Sequence, residues 1–355
     1  MKRLLLTVTI IVLLVLCTIS CQEHQDIHKE SNSWQGIDET NLNSLIGEVS
    51  IATSTIDSSS SDVSSNDIAP SKPSISESFT SEPFLEQTAP YSGLPAINSD
   101  LAFIHYISND TTFYKGDSDT VVFPASITKL WTAYVALDSI NSEIIITAGD
   151  ELDYVEKDSS IAYINKGDQL TVEMLIEGML LPSGNDAAYV LARAVGEQLA
   201  GDENLSCEQY INLFVDEMNR LAKLAGMQNT NFVNPDGYHD DNHITTMDDV
   251  IVMARTILQS DIILKYTSLS DDTVSFLNGK TVIWKNTNLL IDPNSCFYNE
   301  AVIGLKTGYT SRAGYCLLSV LKTEKDIKII GVFQSKTAYT RFEDTELIIN
   351  CVNAA

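Results

Sequence analysis

The chain has 355 residues and a formal net charge of -26. That length provides one large domain or two ordinary ones. The acidity excludes nucleic acid and passive adsorption to anionic lipid, since both need clustered Lys and Arg.

The N-terminus breaks from that acidity. Lys2 and Arg3 precede an apolar run from Leu4 to Leu16, then Cys17-Thr-Ile-Ser-Cys21. A basic start, a short apolar core and small residues before a cut site predict an export signal over residues 1–20. The run falls short of the roughly 20 residues that a membrane span requires. Thr18-Ile19-Ser20-Cys21 resembles the bacterial lipoprotein signal, with Thr18 where Leu is usual. That resemblance implies lipidation of Cys21 as the first mature residue, with simple cleavage or an uncleaved anchor as alternatives. Cys17 is the poorer candidate because bulky Leu16 precedes it.

From residue 21 to residue 97 no apolar periodicity persists, and Ser, Asp, Thr and Pro dominate. Such a segment buries too little surface to offset its ordering entropy, which predicts a disordered stalk. Its end-to-end distance would be on the order of 50 Å, suited to holding a domain off a membrane. Beyond it, Cys207, Cys296, Cys316 and Cys351 are irregularly spaced, so buried free thiols are expected rather than a disulfide framework.

The folded region is predicted over residues 98–355. Leu101–Ile107 and Thr112–Tyr114 read as strands around a Ser108–Asp110 turn. Pro124 ahead of an apolar run reads as a helix start, placing Ser126 in the first turn, where free N–H groups steady negative charge. Thr171 caps a helix ending before Pro182, and another helix follows Ser183-Gly-Asn185. Residues 208–225 carry apolar groups at helical spacing, and Thr246 caps a further helix. Strand character returns at Lys280–Trp284, Ala301–Leu305, Tyr315–Val320 and Ile327–Phe333, with a hairpin turn at Glu324–Asp326. Thr345–Val352 closes the chain as a helix. The pattern predicts an α+β fold: an antiparallel sheet flanked by helices, with a helical subdomain.

Ser126-Ile-Thr-Lys129 places a serine and a lysine on one face, about 5–6 Å apart at Cβ, so a neutral lysine could activate the serine. Alone this spacing is weak evidence. It is followed by Ser183-Gly-Asn185 and by Lys306-Thr-Gly308, and the ordered trio resembles the signature of penicillin-binding proteins and serine β-lactamases. The flanks Phe123–Lys129, Leu181–Ala188, Asn234-Pro-Asp-Gly237, Gly304–Thr310 and Ala313-Gly-Tyr315 resemble the low-molecular-mass serine D-alanyl-D-alanine carboxypeptidases. The likeness covers roughly Leu101 to the C-terminus and implies a β-lactamase/transpeptidase-like fold.

The resemblance implies that Ser126 attacks the penultimate D-alanine carbonyl of a peptidoglycan stem peptide. Lys129 would take the serine proton, its pKa lowered by burial and by Lys306. Ser183 would relay the proton to the leaving amine, and Asn185 would orient the substrate amide. Lys306 and Thr307, at a strand end, would face the terminal carboxylate, while Gly308 would let the substrate backbone approach. The N–H groups of Ser126 and Tyr309 would form the oxyanion hole. β-Lactams would acylate Ser126 and leave slowly. No cofactor, no metal and no nucleic acid are implied. In Asn286-Thr-Asn288, Thr287 stands where some members carry Arg, which puts carboxylate recognition on Lys306 and Thr307.

His239-Asp-Asp-Asn-His243 near Asp236 crowds ligand types together, but the spacing fits no standard metal site; it reads as a polar surface loop. A serine β-lactamase would need a Glu-assisted water, and Glu217 lies within a periodic helix. A penicillin-binding sensor or binding-only domain is the alternative of a different class, and an endopeptidase or transpeptidase shares every motif. Many of the resembled enzymes continue into a C-terminal β-rich domain. Here attachment is expected at Cys21 and the stalk, on the outer face of a bacterial cytoplasmic membrane.

Overall fold

The structure, a computed structural model, describes residues 94–201 and 204–353. The export signal, Cys21 and its lipidation, and the stalk up to residue 93 lie outside the described residues.

Strands β1 (Leu101–Tyr106), β2 (Thr111–Lys115), β9 (Val302–Thr310), β10 (Gly314–Lys322) and β11 (Ile327–Ser335) form an antiparallel sheet in the order β2-β1-β11-β10-β9. The central strand β11 is buried along nearly its whole length, as a run of Ile, Val and Phe demands. β9 is an edge. One sheet face packs on the C-terminal helix α7 (Thr340–Asn353) through Ile330, Val332, Leu317, Phe342, Ile348 and Ile349. The Asp344 carboxylate accepts the backbone N–H groups of Asn98 and Ser99 at 3.0 and 2.7 Å, tying the start of the domain to this helix.

The other face meets the helical part. Its axis is α1 (Thr128–Ser139), whose Leu130, Trp131, Ala133, Val135 and Ala136 are fully buried. A helix apolar on nearly every side has to be surrounded. α2 (Val172–Leu180), α3 (Asn185–Ala200), α4 (Cys207–Ala225), α5 (Met247–Ile257) and α6 (Asp261–Thr267) surround it. The caps at Thr171 and Thr246 form as their sequences require, each side chain accepting the N–H three residues on. Short pairs complete the molecule: β3 (Val121–Val122) with β6 (Thr245–Thr246), β4 (Ile145–Thr147) with β5 (Gln169–Thr171), and β7 (Asp271–Ser275) with β8 (Thr281–Lys285).

Several expectations are corrected here. Ser126 lies in a 3-10 turn, Ala125–Ile127, and α1 starts only at Thr128. Ala125, ahead of the serine, adopts φ 49, while Ile127 and Thr128 are both helical, so the turn runs directly into α1. Lys306-Thr-Gly308 sits inside β9, not at its end. α6 and β7 had no strong signal: the first is short, and the second opens with Asp271-Asp272. Of the four cysteines, Cys316 alone is buried; Cys207 and Cys351 are half-buried and Cys296 is exposed.

Candidate active site

A cleft of about 450 Å³ opens between the sheet edge and the helical part, a size ordinary for small-molecule sites. Its wall includes Ser126, Ser183, Asn185, Thr307, Gly308 and Tyr309. Three sequence motifs spread along the chain from Ser126 to Gly308 therefore meet around one space.

The first wall is the nucleophile turn. Ser126 Oγ accepts a hydrogen bond from Lys129 Nζ at 3.0 Å, and the same ammonium donates to the Asp236 carbonyl at 2.5 Å. Lys129 is fully buried. Burial brings its pKa down to about 8, against Asp236 and Asp186, which both raise it. Lys306 and Lys129 disfavour one another's charge, and the nearby carboxylates of Asp236 and Asp186 oppose that on Lys129.

The turn is clamped from two sides by glycines. A Cβ on Gly308 would stand 3.1 Å from both Ala125 Cβ and the Pro124 carbonyl oxygen, so the absence of a side chain lets β9 pass under the nucleophile turn. A Cβ on Gly237 would meet the Ala125 carbonyl oxygen at 1.9 Å, and φ is +80 there. Thr132 Oγ1 donates to the Pro235 carbonyl at 2.6 Å, fastening the Asn234–Gly237 loop over α1. His243 is buried, accepts the Val233 N–H on Nδ1 and so donates from Nε2 to Thr128 Oγ1 at 2.8 Å. Its pKa is lowered to about 3 by burial. The segment read as a polar surface loop is thus partly buried. Asp236 and His239 line the cleft, because the fold uses this loop to hold Lys129.

The second wall begins at Ser183, at φ 64, a conformation that strains any residue with a side chain and that recurs at functional positions. Asn185 Nδ2 donates to Ser159 Oγ, and its backbone N–H donates to the Ser160 carbonyl, both at 2.8 Å. Asp186 accepts the N–H groups of Ala162, Ile164 and Ala187, while burial holds its pKa up. These bonds fix the loop carrying Asp158, Ser159 and Ser160 against the start of α3.

The third wall is β9. Thr307 Oγ1 lies 2.5 Å from Thr287 Oγ1, and Lys306 Nζ donates to Thr287 Oγ1 and the Thr307 carbonyl at 3.4 and 3.2 Å. Lys306 is 1% exposed and stands behind the wall, whereas Thr287, Thr307 and Arg341 line it. Its pKa is well below the ordinary lysine value, first through burial and then through the charges of Lys129 and Arg341. Arg341, from α7, donates to the Gly308 and Cys316 carbonyls at 3.2 and 3.3 Å and leaves a buried Nε without a partner. Burial lowers its pKa to about 10. Thr287 lines the cleft, in the Asn286–Asn288 segment that the resemblance set near the substrate carboxylate, whereas sequence reasoning missed Arg341 and the Asp158–Ser160 loop. No local spacing marks either of them.

An antiparallel sheet with a helical subdomain, and a serine–lysine pair between them, define the DD-peptidase class. A DD-transpeptidase from a Streptomyces strain superposes with a TM-score of 0.67 at 27% identity, covering 74% of this chain and all of the other. A penicillin-binding protein from Listeria monocytogenes, solved in its ampicillin-bound form, matches with a TM-score of 0.57 at 26% identity over 72% of this chain and 97% of the other. Residues 88–337 match the model of the D-alanyl-D-alanine carboxypeptidase family, and the chain belongs to that family. It is 31% identical to the carboxypeptidase DacF of Bacillus subtilis over 66% of this chain and 57% of that protein. Against the carboxypeptidase of Streptomyces sp. it is 30% identical, over 68% and 82%. The chain spans between 52% and 61% of DacF and of two carboxypeptidases from Haemophilus influenzae and Escherichia coli.

Proposed function

We propose that this chain is a serine D-alanyl-D-alanine carboxypeptidase that trims the terminal D-alanine from peptidoglycan stem peptides. The observation that carries the reading is the 3.0 Å contact between Ser126 Oγ and a fully buried Lys129. With a pKa near 8, that lysine is partly neutral at physiological pH and can accept the serine proton. Ser126 Oγ attacks the penultimate carbonyl, and the oxyanion meets the backbone N–H groups of Ser126 and Tyr309. Ser183 passes the proton to the departing D-alanine amine, and water then hydrolyses the ester.

Asn185 holds the substrate amide. The terminal carboxylate lies against Thr307, Thr287 and Arg341, with Lys306 behind them. An arriving anion there favours the charged form of Lys306, offsetting the burial and the neighbouring cations that disfavour it. Gly308 serves the packing of the nucleophile turn as well as substrate approach. β-Lactams acylate Ser126 by the same attack.

Glu217, the residue a β-lactamase reading would need, bonds Arg220 on α4 and is not part of the cleft wall. The N-terminal reading supports export, with residues 1–20 as a signal, Cys21 as lipid anchor and residues 21–97 as the stalk of an enzyme outside the cytoplasmic membrane. The test of the activity is D-alanine release from an acylated tripeptide ending in D-alanyl-D-alanine. Release by the wild type and its loss in a folded Ser126→Ala variant are expected. Retained release in that variant would remove Ser126 from the mechanism.

A further inference from the structure

Away from the serine, two walls of the cleft are joined where the β7–β8 hairpin lies on α2. Trp284 of the hairpin is buried and donates its indole N–H to the Ala162 carbonyl at 2.9 Å. Its ring covers Gly178, where a Cβ would stand 2.9 Å from it. Strand β8 then runs into Asn286 and Thr287. The Thr287 N–H donates to the Leu181 carbonyl at 3.2 Å, just past the end of α2, and its hydroxyl meets that of Thr307. The same helix leads into Ser183. The seat of this hairpin on α2 therefore sets where Thr287 stands in the cleft.

Two carboxyls flank that seat. Glu177, beside Gly178, is 4% exposed and meets Asp272 in a side-chain hydrogen bond. Asp272 is the cross-strand partner of Trp284. Ionised carboxylates only accept, and no described group donates to the buried Glu177 Oε1. The contact is a bond only while a proton lies between the two carboxyls. The other groups acting here are Lys265 and Tyr266 from α6 and Glu173 from α2 itself. Lys265, the one cation among them, is engaged by Glu173 at 2.9 Å, and Glu173 also accepts the Tyr266 hydroxyl at 2.7 Å. Burial, then Asp272, pushes the Glu177 pKa up to about 8.

We propose that the proton shared by Glu177 and Asp272 is a latch between α2 and the β7–β8 hairpin, which positions Thr287 for the substrate carboxylate and opens in alkali. The role of Thr287 rests on the carboxypeptidase reading. Without the proton, two negative charges face each other over a buried helix. The hairpin is the element able to yield, since Asp271, Asp272, Thr273, Thr281 and Ile283 are exposed. The folded chain holds this proton more tightly than the unfolded one, so the stability it contributes is full in acid and is lost as pH rises through about 8. Lys129 becomes a base as pH rises through the same range. The two groups bound the working range from opposite sides.

The test is D-alanine release by the wild type, Glu177→Gln and Asp272→Ala between about pH 6.5 and about pH 9.5, with melting temperatures over the same range. Gln donates an N–H to Asp272 at every pH and keeps the latch closed; Ala leaves it open throughout. Lys129 and Lys306 titrate in all three proteins and cancel in their ratios. The KM of the wild type relative to Glu177→Gln should rise about 3- to 10-fold with pH, the worth of one hydrogen bond, while the kcat ratio stays flat. Asp272→Ala should show the raised KM already at neutral pH. The melting temperature of Glu177→Gln should climb relative to the wild type as pH rises. A pH-independent KM ratio, an unchanged KM in Asp272→Ala, or melting temperatures that run parallel would each overturn the latch while leaving the carboxypeptidase reading intact. Absence of D-alanine release by the wild type would overturn that reading and the positioning role with it.

Discussion

The helical wall of the cleft and its sheet wall each bury one lysine almost completely, yet they treat it differently. Lys129 finds a hydroxyl, a carbonyl and two nearby carboxylates, Asp236 and Asp186. Lys306 finds only neutral oxygens, and its charged neighbours are Lys129 and Arg341. Equal burial with opposite surroundings gives two functions. The first lysine is held close to neutrality beside a nucleophile, where it can gain or lose a proton. The second lacks an anion, and a substrate carboxylate would supply one.

Replacing each lysine environment in turn sharpens this contrast. Lys129→Met should have the largest effect, lowering the rate of acylation by penicillin by about 10²- to 10⁴-fold, the range for loss of a general base. A variant acylated at the wild-type rate would move the base elsewhere. Arg341→Gln should act on the other wall. It is expected to lower kcat/KM for D-alanine release by about 10-fold, mainly through KM, because it removes ground-state recognition of the carboxylate. A fall confined to kcat would show that Arg341 does not serve binding.

Asp236→Asn tests the sign of the field on Lys129. Asp236 raises the Lys129 pKa, so removing its charge lets the lysine lose its proton at lower pH. Acylation requires the neutral amine, and it rises with pH towards a plateau above about 8 in the wild type. The acid limb should move to lower pH in the variant; an alkaline shift would contradict the assignment. Glu217→Gln should do least, changing release of bound penicillin by less than about 2-fold, since this side chain engages Arg220 away from the cleft. Faster loss of bound drug in the wild type than in this variant would revive a β-lactamase role.

Much of this site was legible because its chemistry is carried by short motifs. Ser126 and Lys129 are three residues apart, and Lys306-Thr-Gly308 and Ser183-Gly-Asn185 are contiguous. Arg341 was not legible: it reaches the cleft from the last helix, and nothing adjacent distinguishes it from a surface arginine. Asp158 and Tyr238 are likewise joined only in three dimensions, by one hydrogen bond between two loops. The fold followed from apolar periodicity where strands and helices were long. It failed at β7 and α6, whose short, polar stretches are ordered by their neighbours. Gly308 was read for what it offers a substrate; the contact it permits with the nucleophile turn depends on a strand that the sequence ended too soon.

The central claim is that Ser126, activated by Lys129, forms an acyl-enzyme. Its most direct test is the intact mass of the domain during incubation with penicillin, followed over time and mapped by peptide fragmentation. A lasting adduct of one drug molecule on Ser126, absent from Ser126→Ala, is the expected result. No adduct, an adduct on another residue, or drug turnover without a lasting adduct would contradict it.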